Sequence, residues 1–591
     1  MEQVSSSPCE LPLLNDITSI AEDGYTDLHG KPVSRFLTGG WKASLFIITV
    51  EIAERFAYCG ISSNLITYLT TVMQQSTPTA AKNVNLWSSA ASMFPLIGAF
   101  VADSLLGRYW TIFLSSLIYV LGLFCLTLSA SLTFLNPYSC KERSIFCTKP
   151  SAFQVRFFFV SLYMVALGEG GHRPCVEAFG ADQFDEGNPT ERKYKSSFFN
   201  WWYFGICTGS ISAVSVLVYI QENVGWGWGF GIPTMAMGIA FSVFFCGTSM
   251  YRHKLPSTSP VTRIAQVFVA AIRKWNVSVN ISSHGEEKLY VTQEFCKGET
   301  RKLMPTNQFR LLDKATVAIG LDYEHKTNIN WRLCTVTQVE EVKLVLRLLP
   351  IWVACLMYGI VFQQPSTFFT KQGATMNRKI SGNIEIPAAT LQMFISLTIL
   401  VLVPMYDKIF VPLARSITGN ERGITLLQRI GVGIFFSVIA MIVAALIEMK
   451  RLQTAKEYGL VDLPHATIPL SIFWMLPQYI LFGMSEMFAM IGLQEYFYDQ
   501  MPDTMRSLGI AMYLSVFGVG SFFSSILISL IEKVSSTGNK QNWFADNLNK
   551  AHLDYFYWLL AALNALFLCI YLAFSSCFIY KKVESHDEEI S

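Results

Sequence analysis

The sequence predicts an all-α membrane protein of twelve transmembrane helices in two six-helix bundles joined by a polar linker. Three observations lead there. Of 591 residues, 52% are hydrophobic and only 15% charged, with a mean hydropathy of +0.37, whereas a soluble chain carries about 25% charged residues. Crossing a hydrocarbon layer of about 30 Å takes about 20 helical residues, and apolar runs of that length recur twelve times. One polar stretch, 251–343, divides them six and six. A net charge of +2 gives no support for nucleic-acid binding, so lipid bilayer is the expected surrounding.

The first 42 residues are polar and acidic, with no basic n-region or cleavage site, so 1–42 is expected to be a cytosolic tail. Runs near 43–72, 84–106, 109–134, 154–178, 197–220 and 228–250, bounded by polar or Pro/Gly breaks, form the first bundle, 43–250. The linker 251–343 has scattered Lys and Arg and no run of span length. Runs near 344–369, 387–412, 425–448, 468–499, 506–532 and 553–580 form the second bundle, 344–580, and 581–591 is a second tail. The basic linker and Lys581-Lys582 place both tails and the linker in the cytosol. The sequons Asn276-Val-Ser and Asn280-Ile-Ser would then go unused.

Most of the thirteen cysteines sit in apolar runs, where a thiol behaves as a small hydrophobe. Cys140 and Cys147 share the loop between the third and fourth runs and could pair if it faces an oxidising side. No CxxC, HExxH, P-loop or Gly-x-Ser-x-Gly pattern occurs, so neither metal, cofactor nor enzyme chemistry is expected.

Charges within spans cost several kcal/mol and mark function by default. The first span holds Glu51-Ile-Ala-Glu54-Arg55, where Glu54 at i+3 and Arg55 at i+4 share a face with Glu51. Arg55 can neutralise one carboxylate, leaving the other free to take a proton. An intrahelical ion pair that merely eases insertion is the plainer alternative. The fourth span contains Gly168-Glu169-Gly170-Gly171-His172-Arg173-Pro174, small residues and a proline that together fit a cavity wall. Arg173 needs an anion, and Glu486 in the tenth span is the best available partner; snorkelling at a boundary is the alternative for Arg173. His172 reads as structural. Between the second and third spans, Asp103, Gly107 and Arg108 fit a tight cytosolic turn, and Asp407-Lys408 to Arg415 falls at the corresponding place after the eighth span.

With Phe198-Phe-Asn-Trp-Trp-Tyr-Phe-Gly205, Gly180-Ala-Asp-Gln-Phe-Asp185 and Phe497-Tyr-x-x-x-Pro502-x-x-Met505-Arg-Ser507 added, these motifs resemble the plant nitrate and peptide transporter family, a branch of the proton-coupled oligopeptide transporters. The resemblance runs from Gly40 to Tyr580. It implies the major facilitator fold and symport of a proton with a small solute, nitrate or an organic metabolite, hormone or peptide, by alternating access. It implies that Glu51, Glu54 and Arg55 couple the proton and that Arg173 and Glu486 form a salt bridge between bundles. Thr111 matches a position that some members phosphorylate, which makes a kinase a candidate partner; a buried structural threonine is the alternative. A passive channel is the rival mechanism and a membrane-embedded enzyme the more distant one.

Two departures bear on substrate. The family usually has lysine at Arg173, and arginine effectively cannot lose its proton, so the proton must ride on carboxylates. Ser62 stands where peptide-transporting relatives carry arginine, and Phe362 where some nitrate transporters have histidine. With Tyr58 and Gln364, these are the candidate pocket residues. Glu10-Leu-Pro-Leu13-Leu14 is one residue short of an acidic dileucine signal, which leaves plasma membrane and vacuolar membrane both open.

Overall fold

A computed structural model describes residues 25–28, 30–31, 33–34, 37–132, 134–135, 150–185, 189–254, 260–275, 306, 308–317, 331–381, 384–419, 424–464, 466–501, 505–535 and 543–578. Cys140, Cys147, both sequons, Glu10–Leu14 and Lys581-Lys582 lie outside these. The first half contributes α1 (Gly40–Ser62), α2 (Thr77–Val101), α3 (Arg108–Ser131), α4 (Ala152–Ala181), α5 (Pro189–Ser212) and α6 (Trp226–Cys246). The second contributes α7 (Val336–Val361), α8 (Met393–Met405), α9 (Leu426–Glu457), α10 (Leu476–Gln500), α11 (Arg506–Ser535) and α12 (Leu553–Ser576).

Among the described residues, eleven helices are long and apolar enough to cross a membrane. The helix outside that set is α1, which has 23 residues and carries Glu51, Glu54 and Arg55 at its middle. It packs against α5 and α6, and these three charged side chains are buried. Protein, not lipid, therefore faces them.

Local chemistry sets the helix starts. At α4, α7 and α9 the pairs Ser151/Gln154, Thr335/Gln338 and Thr425/Gln428 form reciprocal capping boxes, each satisfying two orphan backbone donors. The second helix starts at Thr77, earlier than the apolar run from 84 implies, because Pro78 suits the first turn, where its missing N–H is not needed. The tenth starts later than 468: Ile468–Ser471 is a short strand paired in parallel with Met376–Asn377.

The first helix of each half breaks at a corresponding place. After α1 the chain turns at Ser63–Asn64 and continues as Leu65–Thr71; after α7 it turns at 362–364 and continues through Pro365–Ala374. Each break exposes backbone carbonyls that cannot meet water, and glutamine amides answer them. Gln221 Nε2 donates to Gly60 O at 2.8 Å, and Gln364 Nε2 to Ile360 O at 3.1 Å. A wide helical turn holds Asp103 (Ala102–Leu106) and another holds Asp407 (Tyr406–Phe410) at matching places, as a duplicated six-helix unit would have them.

The halves meet chiefly where α2 packs on α11, with a smaller contact between α5 and α8. Hydrogen bonds across the seam gather at the end of the helices away from the linker. Lys82 pairs with Glu532 at 2.8 Å, Arg378 with Glu222 at 3.3 Å, and Lys371 Nζ donates to Thr70 Oγ1 at 3.1 Å. Asn85 reaches Ser524 at 3.0 Å and Gln392 reaches Ser63 O at 2.9 Å.

Within the first half, α2 and α4 approach closely enough that a side chain on Gly98 would run into the Gly170 carbonyl and the Gly171 Cα. Backbone cannot yield as a side chain does. Gly98→Val is expected to cost the upper end of about 1–3 kcal/mol or more, read as a drop of several degrees in the thermal transition of the purified protein. An unchanged transition would show that the two helices are free to separate.

Candidate functional site

Arg55 sits fully inside the first bundle and is bracketed by three carboxylates. Its Nε lies 2.5 Å from Glu54 Oε2 and 3.2 Å from Glu51 Oε1, and its Nη2 3.2 Å from Glu169 Oε1 on α4. The α2–α4 glycine contact and the close crossing of Gly168 on Tyr119 of α3 bring Glu169 within reach. Arg55 also lies 5.4 Å from the centre of the Tyr58 ring, which stacks on Trp87 at 5.4 Å. Arginine suits the position because its fork of donors serves several oxygens at once.

Each carboxylate spends one oxygen on Arg55 and keeps one without a partner: Glu51 Oε2, Glu54 Oε1 and Glu169 Oε2. Glu54 and Glu169 both lie against Arg55, so their carboxylates stand close to one another. Arg173 approaches Glu169 Oε1 at 3.6 Å, one helical turn along α4, and Glu177 faces both Arg173 and Arg55. Three buried carboxylates thus surround the buried Arg55 guanidinium. Fully ionised, the cluster would carry two uncompensated negative charges in a protein interior, and like charges 4 Å apart repel by about 4 kcal/mol at an effective dielectric of 20.

His172 is wholly buried beside the cluster, and neither ring nitrogen has a partner. Ligand atoms of Glu51, Glu54 and His172 lie within 4.8 Å of one another. A metal ion among them would stand against the Arg55 guanidinium, which already takes an oxygen of each neighbouring carboxylate, so the set fits a metal poorly.

Arg173 and Glu486 are not paired in this conformation. Among the described residues Arg173 bonds only to Glu169, its neighbour at i+4, and Glu486 makes no ion pair. Tyr513 of α11 lies in electrostatic reach of Arg173, Glu177 and Glu486. Tyr203 of α5 and Tyr358 of α7 also face Glu486. Of the pocket residues named from sequence, Phe362 packs on Phe517 at 4.6 Å between ring centres. Ser62 Oγ donates weakly to Cys59 O at 3.5 Å, and Gln364 is buried with its Oε1 unpartnered.

At the turn, Gly107 has φ 79°, a left-handed conformation that glycine adopts without strain. Arg108 pairs with Asp182 at the end of α4 and lies 3.9 Å from Asp103. The Thr111 hydroxyl is buried and donates to Gly107 O at 2.9 Å, so phosphorylation would require this turn to open. A cavity beside the turn is lined in part by Thr26, Asp27 and Leu28, at the end of the short strand Tyr25–Thr26 that pairs with His253–Lys254.

Sequence reasoning missed Glu169, Glu177 and the three tyrosines around Glu486. Glu169 was visible as a charge within a span; the tyrosines carry no signal until helices from both halves are packed.

A family model described as the POT family matches residues 109–544. The Arabidopsis thaliana protein NRT1/PTR FAMILY 5.10 is 52% identical over 561 residues, covering 95% of this chain and 96% of its own length. NRT1/PTR FAMILY 5.4 of the same plant is 47% identical, covering 94% and 98%. Among solved structures, an auto-inhibited POT family peptide transporter superposes with TM-score 0.66 at 22% identity, covering 92% of this chain and 98% of that one. The POT family transporter PepTSo gives 0.64 at 22%, covering 90% and 99%.

If the carboxylates depend on Arg55, its removal leaves buried charge without an answer, at a cost of about 3–5 kcal/mol. Arg55→Ala should yield little folded protein. Adding Glu169→Gln should recover part of the folded fraction, measured by monodispersity in detergent. A double variant no better than Arg55→Ala would break the proposed electrostatic unit.

Proposed function

Since this chain belongs to the POT family of membrane transporters, we propose that it is a proton-coupled symporter in which the carboxylates around Arg55 carry the proton. The observation that supports this most directly is the excess of three buried carboxylates, Glu51, Glu54 and Glu169, over the one buried guanidinium they surround. Neither arginine can give up its proton. Coupling therefore runs through Glu51, Glu54 and Glu169.

The seam contacts Lys82–Glu532, Arg378–Glu222 and Lys371–Thr70 hold the bundles together at the end away from the linker. In the opposite state of the cycle those contacts part and the linker ends close. Arg173 then exchanges Glu169 for Glu486, past Tyr513. The exchange frees Glu169 for a proton, which ties the conformational change to protonation. A uniporter would have no need for surplus acids.

The pocket argument favours an amphipathic organic solute. Phe362, Phe517 and Tyr358 give apolar wall, while Ser62 supplies one hydroxyl in place of a cation. Binding there rests on burial. Nitrate is the second reading: it is small and strongly hydrated, and the Arg173 guanidinium, one quarter exposed, is the group that could replace its water. Plasma membrane and vacuolar membrane are the two addresses to test.

Uptake of an anion, peptide, hormone and glycoside panel at acidic and neutral external pH tests the reading. One solute should accumulate more at acidic pH, and Glu51→Gln, Glu54→Gln or Glu169→Gln should each abolish accumulation while sparing exchange of solute for solute. Wild-type accumulation in all three variants would refute carboxylate coupling, and nitrate uptake that no organic compound competes with would overturn the organic-solute reading. Arg173→Ala and Glu486→Ala should each impair transport strongly, and the double variant should lose less than the two together. Strict additivity would mean that the pair never forms.

A further inference from the structure

The linker helix Pro260–Arg273 has two apolar stripes, and among the described residues only one has a partner. Val267, Ala270 and Ala271 are buried against Leu312, Cys334 and Val342, which fixes the helix to the first turns of α7. The second stripe comprises Val261, Ala265, Phe268 and Ile272 and runs on to Trp275, two residues past the helix end. Its members recur at i, i+4, i+7, i+11 and i+14, hence along one face. Val261 is 48% exposed, Phe268 36%, Ile272 64% and Trp275 60%.

We propose that this second stripe lies in the headgroup boundary of the membrane the protein spans and that anionic lipid holds it there. Its position is suitable. Ile264 of the same helix packs both on the linker cluster and on the core of the second bundle around Leu348 and Met512, and Arg263 reaches Glu341 of α7 at 3.5 Å. Along α7, the first large apolar side chain left exposed is Leu349, seven residues beyond Val342. At 1.5 Å per residue that is about 10 Å, comparable to the headgroup layer.

Charge fits the same surface. The described residues of 251–343 contain nine cations against the three acids Asp313, Glu340 and Glu341, and among the cations Arg273 and Arg310 are exposed and Lys314 and Arg332 half-buried. Lys314 Nζ lies 5.9 Å from the Trp275 ring centre and donates to Trp275 O at 2.6 Å, which puts a cation beside an exposed indole, the combination found at membrane interfaces. A helical protein partner is the weaker reading, because a coiled coil needs at least about three heptads and this stripe spans two.

Hydrogen–deuterium exchange of the full-length protein tests the proposal, using detergent, nanodiscs of phosphatidylcholine alone, and nanodiscs containing phosphatidylglycerol. Amides of 261–275 should exchange fastest in detergent and slowest with phosphatidylglycerol. The two lipids should differ by roughly fivefold or more, since each cation near an anionic surface contributes about 1 kcal/mol. Ile272→Glu with Trp275→Glu should remove protection in both lipids, and Arg273→Gln with Lys314→Gln should remove only the dependence on phosphatidylglycerol. Exchange in α9 serves as the folding control. Equal exchange in all three surroundings would overturn the proposal, as would protection that both variant pairs leave intact, the result expected if protein covers the stripe.

Discussion

Arg55 is a permanent cation in a low-dielectric interior, touched by Glu51, Glu54 and Glu169 and approached through Glu169 by Arg173. Much of the first bundle follows from keeping that contact dry and closed. A helix bearing two acids and a base cannot face lipid, so α1 is packed by α5 and α6. Glu169 reaches Arg55 only because glycines at 98, 168, 170 and 171 let three helices cross backbone against backbone. The small-residue run and the charged cluster are thus one device.

The second constraint is the backbone. A helix in lipid must satisfy its own carbonyls, yet the first helix of each half is broken near its outer end. The breaks hold because Gln221 and Gln364 serve the freed carbonyls from within the protein. Both breaks also lie at the seam. Gln392 of the second half donates to Ser63 O at the first break, and Gln363 at the second reaches Ser88 of the first half at 3.1 Å. The places where the helices are weakest as helices are those where the halves hold each other, so parting them loosens local backbone and seam together.

The fold was legible in the sequence because it follows from composition and run length, quantities that need no partner. The Glu51-x-x-Glu54-Arg55 face was legible too, since helical spacing alone puts the three groups together. Glu169 was only half legible: its charge was visible, but its contact with Arg55 depends on how tightly two other helices cross. The pairing of Arg173 with Glu486 was inferred from charge balance across the whole chain, whereas in this conformation a closer carboxylate on the same helix takes Arg173. Charge counting names who needs a partner. Geometry decides which partner is nearest, and in a molecule with two states that answer changes.

That change has an energetic requirement. Releasing a fully buried guanidinium from its carboxylate costs about 3–5 kcal/mol, and Arg173, one quarter exposed, would meet a smaller share of that in the proposed cycle. The tyrosines offer a way through. Tyr513 is in electrostatic reach of both Arg173 and Glu486, and Tyr203 and Tyr358 are in reach of Glu486 as well. A phenol can accept a hydrogen bond from a guanidinium and donate one to a carboxylate, so each charge keeps a polar neighbour while the pair is apart. With lysine at 173 the cation could shed its proton during that interval. Arginine cannot, and so in the proposed cycle the shielding falls to the tyrosine hydroxyls and the proton to the acids.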